Sequence, residues 1–217
     1  ITILDTKTEL EAVQEATKRV DAIIGGGIPG GVPTGAKLRL YHAPFTGYDW
    51  IKASDLPKGA VFCNTHEHET TIAEHLLAGM LELQTGLMRE THPLMRAKSY
   101  NGRNINHGPH HLELRGTTVG IIGYGQIGRE VARRCKAFDM KVMAVSRTIR
   151  DEPDLVDWYG TVDQLDTLLA ESDFVICCAP GGAETRGMIN ATSFAKMKSD
   201  AVIANVGRGE VIDENTL

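Results

Sequence analysis

Apolar residues in this chain gather in short continuous runs, and the stretches between them carry helical spacing. Glu9 to Val20 sets Leu10, Val13, Ala16 and Val20 on one side of a predicted helix. Asp21-Ala-Ile-Ile-Gly25, Leu38-Arg-Leu-Tyr41 and Ala60-Val-Phe-Cys63 predict strands. Between them lie a glycine- and proline-rich loop (25–35) and the turn-like Ala43-Pro-Phe-Thr-Gly-Tyr-Asp49. Thr71 to Leu87, with Ile72, Leu76, Leu77, Met80, Leu81 and Leu83, predicts a long helix. From Arg89 to Glu113 apolar positions thin out and turn formers multiply, which predicts a linker or crossing arm.

The alternation then resumes. Thr118–Ile122, Lys141–Val145, Phe174–Cys178 and Ala201–Ala204 predict strands, and Ile127–Phe138, Val162–Ala170 and Asn190–Met197 predict helices. Strands alternating with helices specify an α/β fold with a mainly parallel sheet. The expected organisation is a first domain over 1–88, an arm over 89–113 and a second domain over 114–217.

Composition narrows the functions without naming one. The length of 217 residues suffices for one large or two small domains. A net charge of −5 and the lack of a dense basic stripe argue against a nucleic-acid partner. No apolar run approaches the roughly 20 residues of a membrane helix, and no signal peptide opens the chain, so no membrane partner and a cytoplasmic location are expected. The four cysteines, Cys63, Cys135, Cys177 and Cys178, form neither a disulfide framework nor a metal spacing, and read as buried thiols. His66-Glu-His-Glu-Thr lacks the second histidine of an HExxH site, so no metal is expected. The 25–31 glycine run lacks the Gly-Lys-Ser/Thr ending of a P-loop. The chain opens on Ile1 rather than Met, and the full-length protein is expected to extend at both ends.

The most specific chemistry lies in Thr118-Val-Gly-Ile-Ile-Gly-Tyr-Gly-Gln-Ile-Gly128. A buried strand, a glycine turn and a helix start together place a dinucleotide pyrophosphate on a helix N-terminus. Gly123 permits the turn, Gly125 lets backbone approach the phosphates, and Gly128 lets the helix pack on the sheet. Tyr124, Gln126 and Ile127 complete the turn, with the amides around Gln126 and Ile127 facing the phosphates. At the end of the next strand, where an acid would select NAD, the chain has Ser146-Arg147. Serine donates to a 2′-phosphate and arginine forms charge-assisted bonds with it. NADP(H) is therefore the preferred cofactor on this reading, with Arg150 able to assist. NAD(H) stays usable if Arg147 stacks on adenine or lies in solvent.

Several ordered motifs together resemble the D-isomer-specific 2-hydroxyacid dehydrogenases, in particular their glyoxylate/hydroxypyruvate reductase type. These are Thr46-Gly-Tyr-Asp49, Ile72-Ala-Glu-His75, the run from Leu114 to Gly128, Pro180 with Glu184-Thr-Arg-Gly-Met-Ile-Asn190, and Met197-Lys through Asn205-Val-Gly-Arg-Gly-Glu-Val-Ile-Asp213. The resemblance implies two Rossmann-like domains, a flavodoxin-like substrate domain and a doubly wound dinucleotide-binding domain. It implies that Arg208 is catalytic, binding the substrate carboxylate and polarising the reacting carbonyl; a planar guanidinium suits bidentate carboxylate binding. It implies that Phe45, Thr46 and Gly47 form the loop whose amides bind the same carboxylate, although Pro44 and Phe45 depart from the small, glycine-rich version. Ala179, Pro180 and Thr185 would lie near the cofactor, with Asn205 and Gly207 near its nicotinamide end.

By the same resemblance a histidine moves the proton and a glutamate partners it, both beyond Leu217. None of the eight histidines here matches that position, so the 217-residue segment alone is expected to be inactive. The implied reaction is hydride transfer between NADP(H) or NAD(H) and a small 2-keto or 2-hydroxy acid, glyoxylate or hydroxypyruvate among them. The implied assembly is a homodimer formed through the cofactor domain and the 89–113 arm. A phosphoglycerate-type dehydrogenase and a non-catalytic dinucleotide-binding regulatory protein are the alternatives.

Overall fold

The structure, a computed structural model, describes residues 2–99, 110–150 and 152–216. It divides into two units, Ile1–Glu67 and His68–Leu217.

The first unit contains helix α1 (Leu10–Thr17) and strands β1 (Ala22–Ile24), β2 (Leu40–Ala43) and β3 (Val61–Asn64). The strands pair in parallel in the order β1-β2-β3. Tyr41 is in register with Ile23 and Phe62, so these three share one face. That face carries the unit's aromatic cluster. The buried Tyr41 ring lies 5.8 Å from Trp50 and 6.1 Å from Phe62, and Phe45 and Tyr48 pack onto the last two. The Tyr41 hydroxyl donates to the Gly26 carbonyl, and burial pushes its pKa up to about 12. On the other face Ile24 and Val61 remain 74% and 59% exposed.

The second unit opens with α2 (Glu69–Thr85), a π-helical turn (Leu87–Thr91) and α3 (His92–Arg96). Then follow β4 (Thr118–Ile122), α4 (Gln126–Ala137), β5 (Lys141–Val145), β6 (Trp158–Gly160), α5 (Leu165–Glu171), β7 (Phe174–Cys177), α6 (Ala191–Phe194) and β8 (Val202–Asn205). All five strands are parallel, in the order β6-β5-β4-β7-β8. The chain runs outward from β4 on one side, then returns to build β7 and β8 on the other. That is a doubly wound sheet, with its topological switch between β4 and β7.

Helices on both faces bury the central strands completely, which is why β4 and β7 read as unbroken apolar runs. On one face α4 buries Val131, Ala132 and Cys135 against β4 and β5. Its outer face carries Arg129, Arg133, Arg134 and Lys136, with Glu130 and Arg134 joined one turn apart at 2.6 Å. On the other face α5 places Leu168 and Leu169 under β4 and β5. A Cβ on Gly120 would stand 2.2 Å from Ser172 Oγ and 2.5 Å from Leu168 Cδ2, so mid-strand glycine is what lets α5 sit this close.

Three expectations are revised by tertiary packing. The long helix was expected in a first domain ending at 88. Its Ala73, Leu76 and Met80 instead pack with α4, and Glu74 meets Arg134 at 3.2 Å, which places it in the second unit. The expected helix over Asn190–Met197 shortens to α6, which Asn190 caps by accepting from the amides of Thr192 and Ser193. The expected helix over Val162–Ala170 splits into a 3-10 turn (Val162–Gln164) and α5. Residues 100–109 of the expected arm lie outside the described residues, while 89–96 within it are helical.

Candidate dinucleotide site

At the switch point the turns after β4 and β7 press backbone against backbone. Gly123 has φ +89°, and a Cβ there would lie 2.7 Å from the Ala179 nitrogen. Only glycine satisfies both the left-handed backbone and this approach. Gly128, in the first turn of α4, would bring a Cβ 2.9 Å from the Gly123 carbonyl oxygen. Gly125 differs: a Cβ there would meet nothing within 4 Å. Its bare face therefore opens onto free space at the N-terminus of α4, where no side chain caps the helix. First-turn amides and the helix dipole favour negative charge at such a helix start.

A cavity of about 940 Å³ extends from this turn. Its volume lies in the range of roughly 300–1,000 Å³ typical of small-molecule sites. One wall is Ser146, Arg147, Thr148 and Arg150, continuing to Thr161–Asp163; the other is Cys178 to Thr185 with Met188. It thus brings together Gly123, Tyr124, Gly125, Ser146, Arg147, Ala179, Pro180 and Thr185 of the expected cofactor residues. These groups fit an extended dinucleotide: an uncapped helix start for the pyrophosphate, a hydroxyl and two guanidiniums at one end, and backbone turns at the other.

Tyr124 is 2% exposed and its ring packs edge-on against Tyr159. Its hydroxyl donates to Glu152 at 3.0 Å, and the same carboxylate oxygen accepts from Arg129 Nε at 3.0 Å. Burial and the Glu152 carboxylate push the Tyr124 pKa well up, so the phenol remains a donor. This trio ties the connection after β5 to the start of α4. Ser146 Oγ donates to the Thr148 carbonyl at 2.7 Å and meets the Tyr159 hydroxyl at 2.8 Å. Arg147 reaches across the mouth to Glu184, with Nη1 3.6 Å from the carboxylate oxygen.

The turn after β8 carries Arg208. Asn205 shapes it from both sides, accepting from the Gly207 amide at 3.0 Å and donating to the Arg208 carbonyl at 2.9 Å. A Cβ on Gly207 would fall 2.2 Å from the Ala179 carbonyl oxygen, so this turn is seated against the turn after β7. The stem of Arg208 lies over Gly181, whose Cβ would approach its Cγ to 3.0 Å. Glu210, two residues on, accepts from the Gly182 amide at 2.9 Å and pairs with Arg186 at 2.5 Å. Thr185 is turned inward, its hydroxyl donating to the Pro180 carbonyl at 2.7 Å. Arg208 therefore stands at the C-terminal end of a sheet strand beside the cavity wall, where ligands of this sheet type bind.

Phe45, Thr46 and Gly47 belong to the first unit. Thr46 is held there by its hydroxyl, which donates to the Thr65 carbonyl at 2.9 Å, and by Asn64 Nδ2, which donates to its carbonyl at 2.8 Å. Phe45 packs edge-on against Trp50.

The sequence reading did not single out Glu152, Tyr159 or Glu210, because each acts through a contact made only once the chain has folded. Of the cysteines, Cys135 and Cys177 are buried, while Cys63 and Cys178 are partly exposed. Among the described residues, no group of three or more His, Cys, Asp or Glu could hold a metal ion, and no helix is long and apolar enough to cross a membrane.

The sheet order, the glycine turn and the cavity at the switch point define a dinucleotide-binding α/β domain. Residues 77–217 match the family described as D-isomer specific 2-hydroxyacid dehydrogenase, NAD binding domain, and the chain belongs to that family. It is 30% identical to a glyoxylate reductase of Thermococcus onnurineus over 220 residues, covering 99% of this chain and 64% of that protein. It is 49% identical to a hydroxypyruvate reductase of Thermotoga maritima over 105 residues, 48% of this chain and 33% of that protein. The crystal structure of a D-isomer specific 2-hydroxyacid dehydrogenase family protein from Aeromonas salmonicida superposes with a TM-score of 0.80 at 22% identity, covering 96% of this chain and 66% of that one. This likeness establishes the fold. The chain thus spans no more than about two thirds of the length of these proteins.

Proposed function

We propose that the protein is an oxidoreductase that moves a hydride between a nicotinamide dinucleotide, preferentially NADP(H), and a small 2-keto or 2-hydroxy acid such as glyoxylate or hydroxypyruvate. The observation that carries this reading is the seating of Arg208 on Gly181, beside the wall of the dinucleotide cavity. The family and the names of its relatives support the substrate class. When bound, the dinucleotide supplies or takes up the hydride at its nicotinamide ring.

The chain's own groups bind and orient the two reactants, and none of them is assigned the proton that accompanies the hydride. First-turn amides of α4 hold the pyrophosphate. The turns at Ala179–Pro180 and Asn205–Gly207 wall the far end of the site. Arg208 binds the carboxylate of the acid and draws electron density toward the neighbouring carbonyl oxygen. In the first unit, Phe45, Thr46 and Gly47 form the loop that the family resemblance gives to substrate binding. At the other end Arg147, with Arg150 on the same wall, favours a 2′-phosphate over a bare hydroxyl. Association into a homodimer through the second unit, with the 89–113 arm, is part of the same reading.

The test is oxidation of NADPH and NADH by the full-length protein with glyoxylate, hydroxypyruvate and pyruvate. Turnover at least about tenfold more efficient with NADPH, a difference of ~1.4 kcal/mol, is the expected result. Equal or better turnover with NADH rejects the cofactor preference and keeps the reaction class. Tight dinucleotide binding without turnover on any of these acids rejects the substrate assignment.

A further inference from the structure

The residues around the distal end of the cavity do not all pull toward a 2′-phosphate. Ser146, which could donate to such a phosphate, has its proton committed: Oγ donates to the Thr148 carbonyl at 2.7 Å, and the Tyr159 hydroxyl lies 2.8 Å away. Tyr159 also approaches the Thr148 carbonyl, at 3.3 Å. With Ser146 donating to that carbonyl, Tyr159 donates to Ser146, and the serine keeps only acceptor capacity. Recognition of a 2′-phosphate then falls chiefly on the Arg147 guanidinium.

That guanidinium already faces a carboxylate. Glu184 lies 3.6 Å from Arg147 Nη1, and both residues line the same cavity from opposite walls. The position of Glu184 follows from its loop. Thr185 donates to the carbonyls of Pro180 and Gly182, and Glu210 grips the Gly182 amide and Arg186. Fixed on both flanks, the loop carries Glu184 at its crest with a side chain 78% exposed.

We propose that Glu184 sets the cofactor selectivity of this site, acting against Arg147. A 2′-phosphate on Arg147 meets the Glu184 carboxylate beside the same guanidinium, and the two anions repel. A 2′-hydroxyl instead donates to that carboxylate. Glu184 thereby takes over, from the facing loop, the acceptor role that an acid at the end of the second strand would play. The preference for NADPH is accordingly a difference between two opposed side chains, and removing either one unmasks the other. This inference rests on the proposed role of Arg147 and adds a counterweight to it.

The test measures dissociation constants for NADPH and NADH on the full chain, and for adenosine 2′,5′-bisphosphate and 5′-AMP as probes of the distal end alone. Four proteins are compared: the unaltered chain, Arg147→Ala, Glu184→Gln and the double variant. Both side chains are exposed, so the expected changes are of the few-fold size of solvent-screened pairs. Glu184→Gln is expected to tighten NADPH and the bisphosphate about threefold and to leave NADH and 5′-AMP unchanged or slightly weaker. In the Arg147→Ala background that gain is expected to vanish. If Arg147→Ala leaves NADPH binding unaltered, the reading of Arg147 fails and this inference with it. If Arg147→Ala weakens NADPH while Glu184→Gln does nothing, or shifts all four ligands alike, only the inference is overturned. A gain that persists without Arg147 also overturns it, since it would then reflect net charge alone.

Discussion

The two sheets follow one parallel plan and differ in how their faces are closed. In the second unit β4 and β7 are buried along their whole length, and α4 and α5 close opposite faces. In the first unit β1, β2 and β3 bury one face under Tyr41, Trp50 and Phe62 and leave Ile24 and Val61 open on the other. The difference teaches where tolerance to substitution lies. Cores packed on two faces have no slack, so even a methyl group is felt. A sheet packed on one face is strict on that face alone.

The largest break is chemical. Replacing Arg208 by Ala should lower kcat/KM for the 2-keto acid by about 10²–10³-fold, the loss expected for a group that stabilises developing charge. Dinucleotide affinity should stay within about twofold, because in the proposed function the guanidinium serves the acid and the helix start serves the pyrophosphate. Steady-state rates and fluorescence titration on the full-length protein separate the two; an equal loss of both would show that Arg208 holds the turn together instead.

Next comes a single methyl in the closed sheet. Gly120→Ala should destabilise the second unit by about 1–3 kcal/mol, because its Cβ would collide with Ser172 Oγ and Leu168. Urea unfolding followed by circular dichroism measures it. A midpoint unchanged from the parent would mean that α5 can move off the sheet, against the two-faced picture.

A smaller effect lies at the edge of that sheet. Asp157 accepts from Lys136 Nζ at 2.8 Å and from the Val142 amide at 2.7 Å. Burial pushes its pKa up, but these two partners outweigh burial and hold the carboxyl below its usual range. A carboxyl whose pKa is depressed on folding stabilises the protein above its unfolded pKa, near 4, and loses that contribution as pH falls through the folded value. Asp157→Asn should therefore reduce stability at pH 7 by about 0.5–1 kcal/mol after allowance for solvent screening. The difference from the parent should close at pH 2–3. Melting curves at pH 7 and pH 2.5 decide it.

The smallest effect is predicted on the open face. Val61→Thr should change stability by less than about 0.5 kcal/mol, although it removes an apolar side chain from a strand. A loss above 1 kcal/mol in the same urea assay would mean that this face is covered in solution.

Much of the second unit was legible because its signals are local. Thr118 to Gly128 reads as strand, turn and helix start, and β4 and α4 follow that reading to within a residue or two. The glycines also differ as their places in the turn suggest: a Cβ on Gly123 or Gly128 would meet backbone within 3 Å, and one on Gly125 would meet nothing within 4 Å. What escaped was set by distant contacts. Trp158-Tyr159-Gly160 is too short to announce β6 and becomes a strand by pairing with β5. Ser146 lines the cavity, but its hydroxyl is engaged with the Thr148 carbonyl and with Tyr159, 13 residues away. Glu210 sits inside a motif quoted for its arginine, and its grip on Gly182 spans 28 residues. The domain boundary moved because α2 carries apolar residues that suit either unit, and only packing against α4 shows where they are used.

The chain has two tryptophans, and they fall one in each unit: Trp50 in the aromatic cluster, Trp158 in β6 beside Gly160. Each unit thus carries its own optical label. A Trp50→Phe chain emits from the closed sheet alone, and a Trp158→Phe chain from the open one. Unfolding curves recorded on the pair would turn a contrast in buried surface into two separately measured midpoints on one polypeptide.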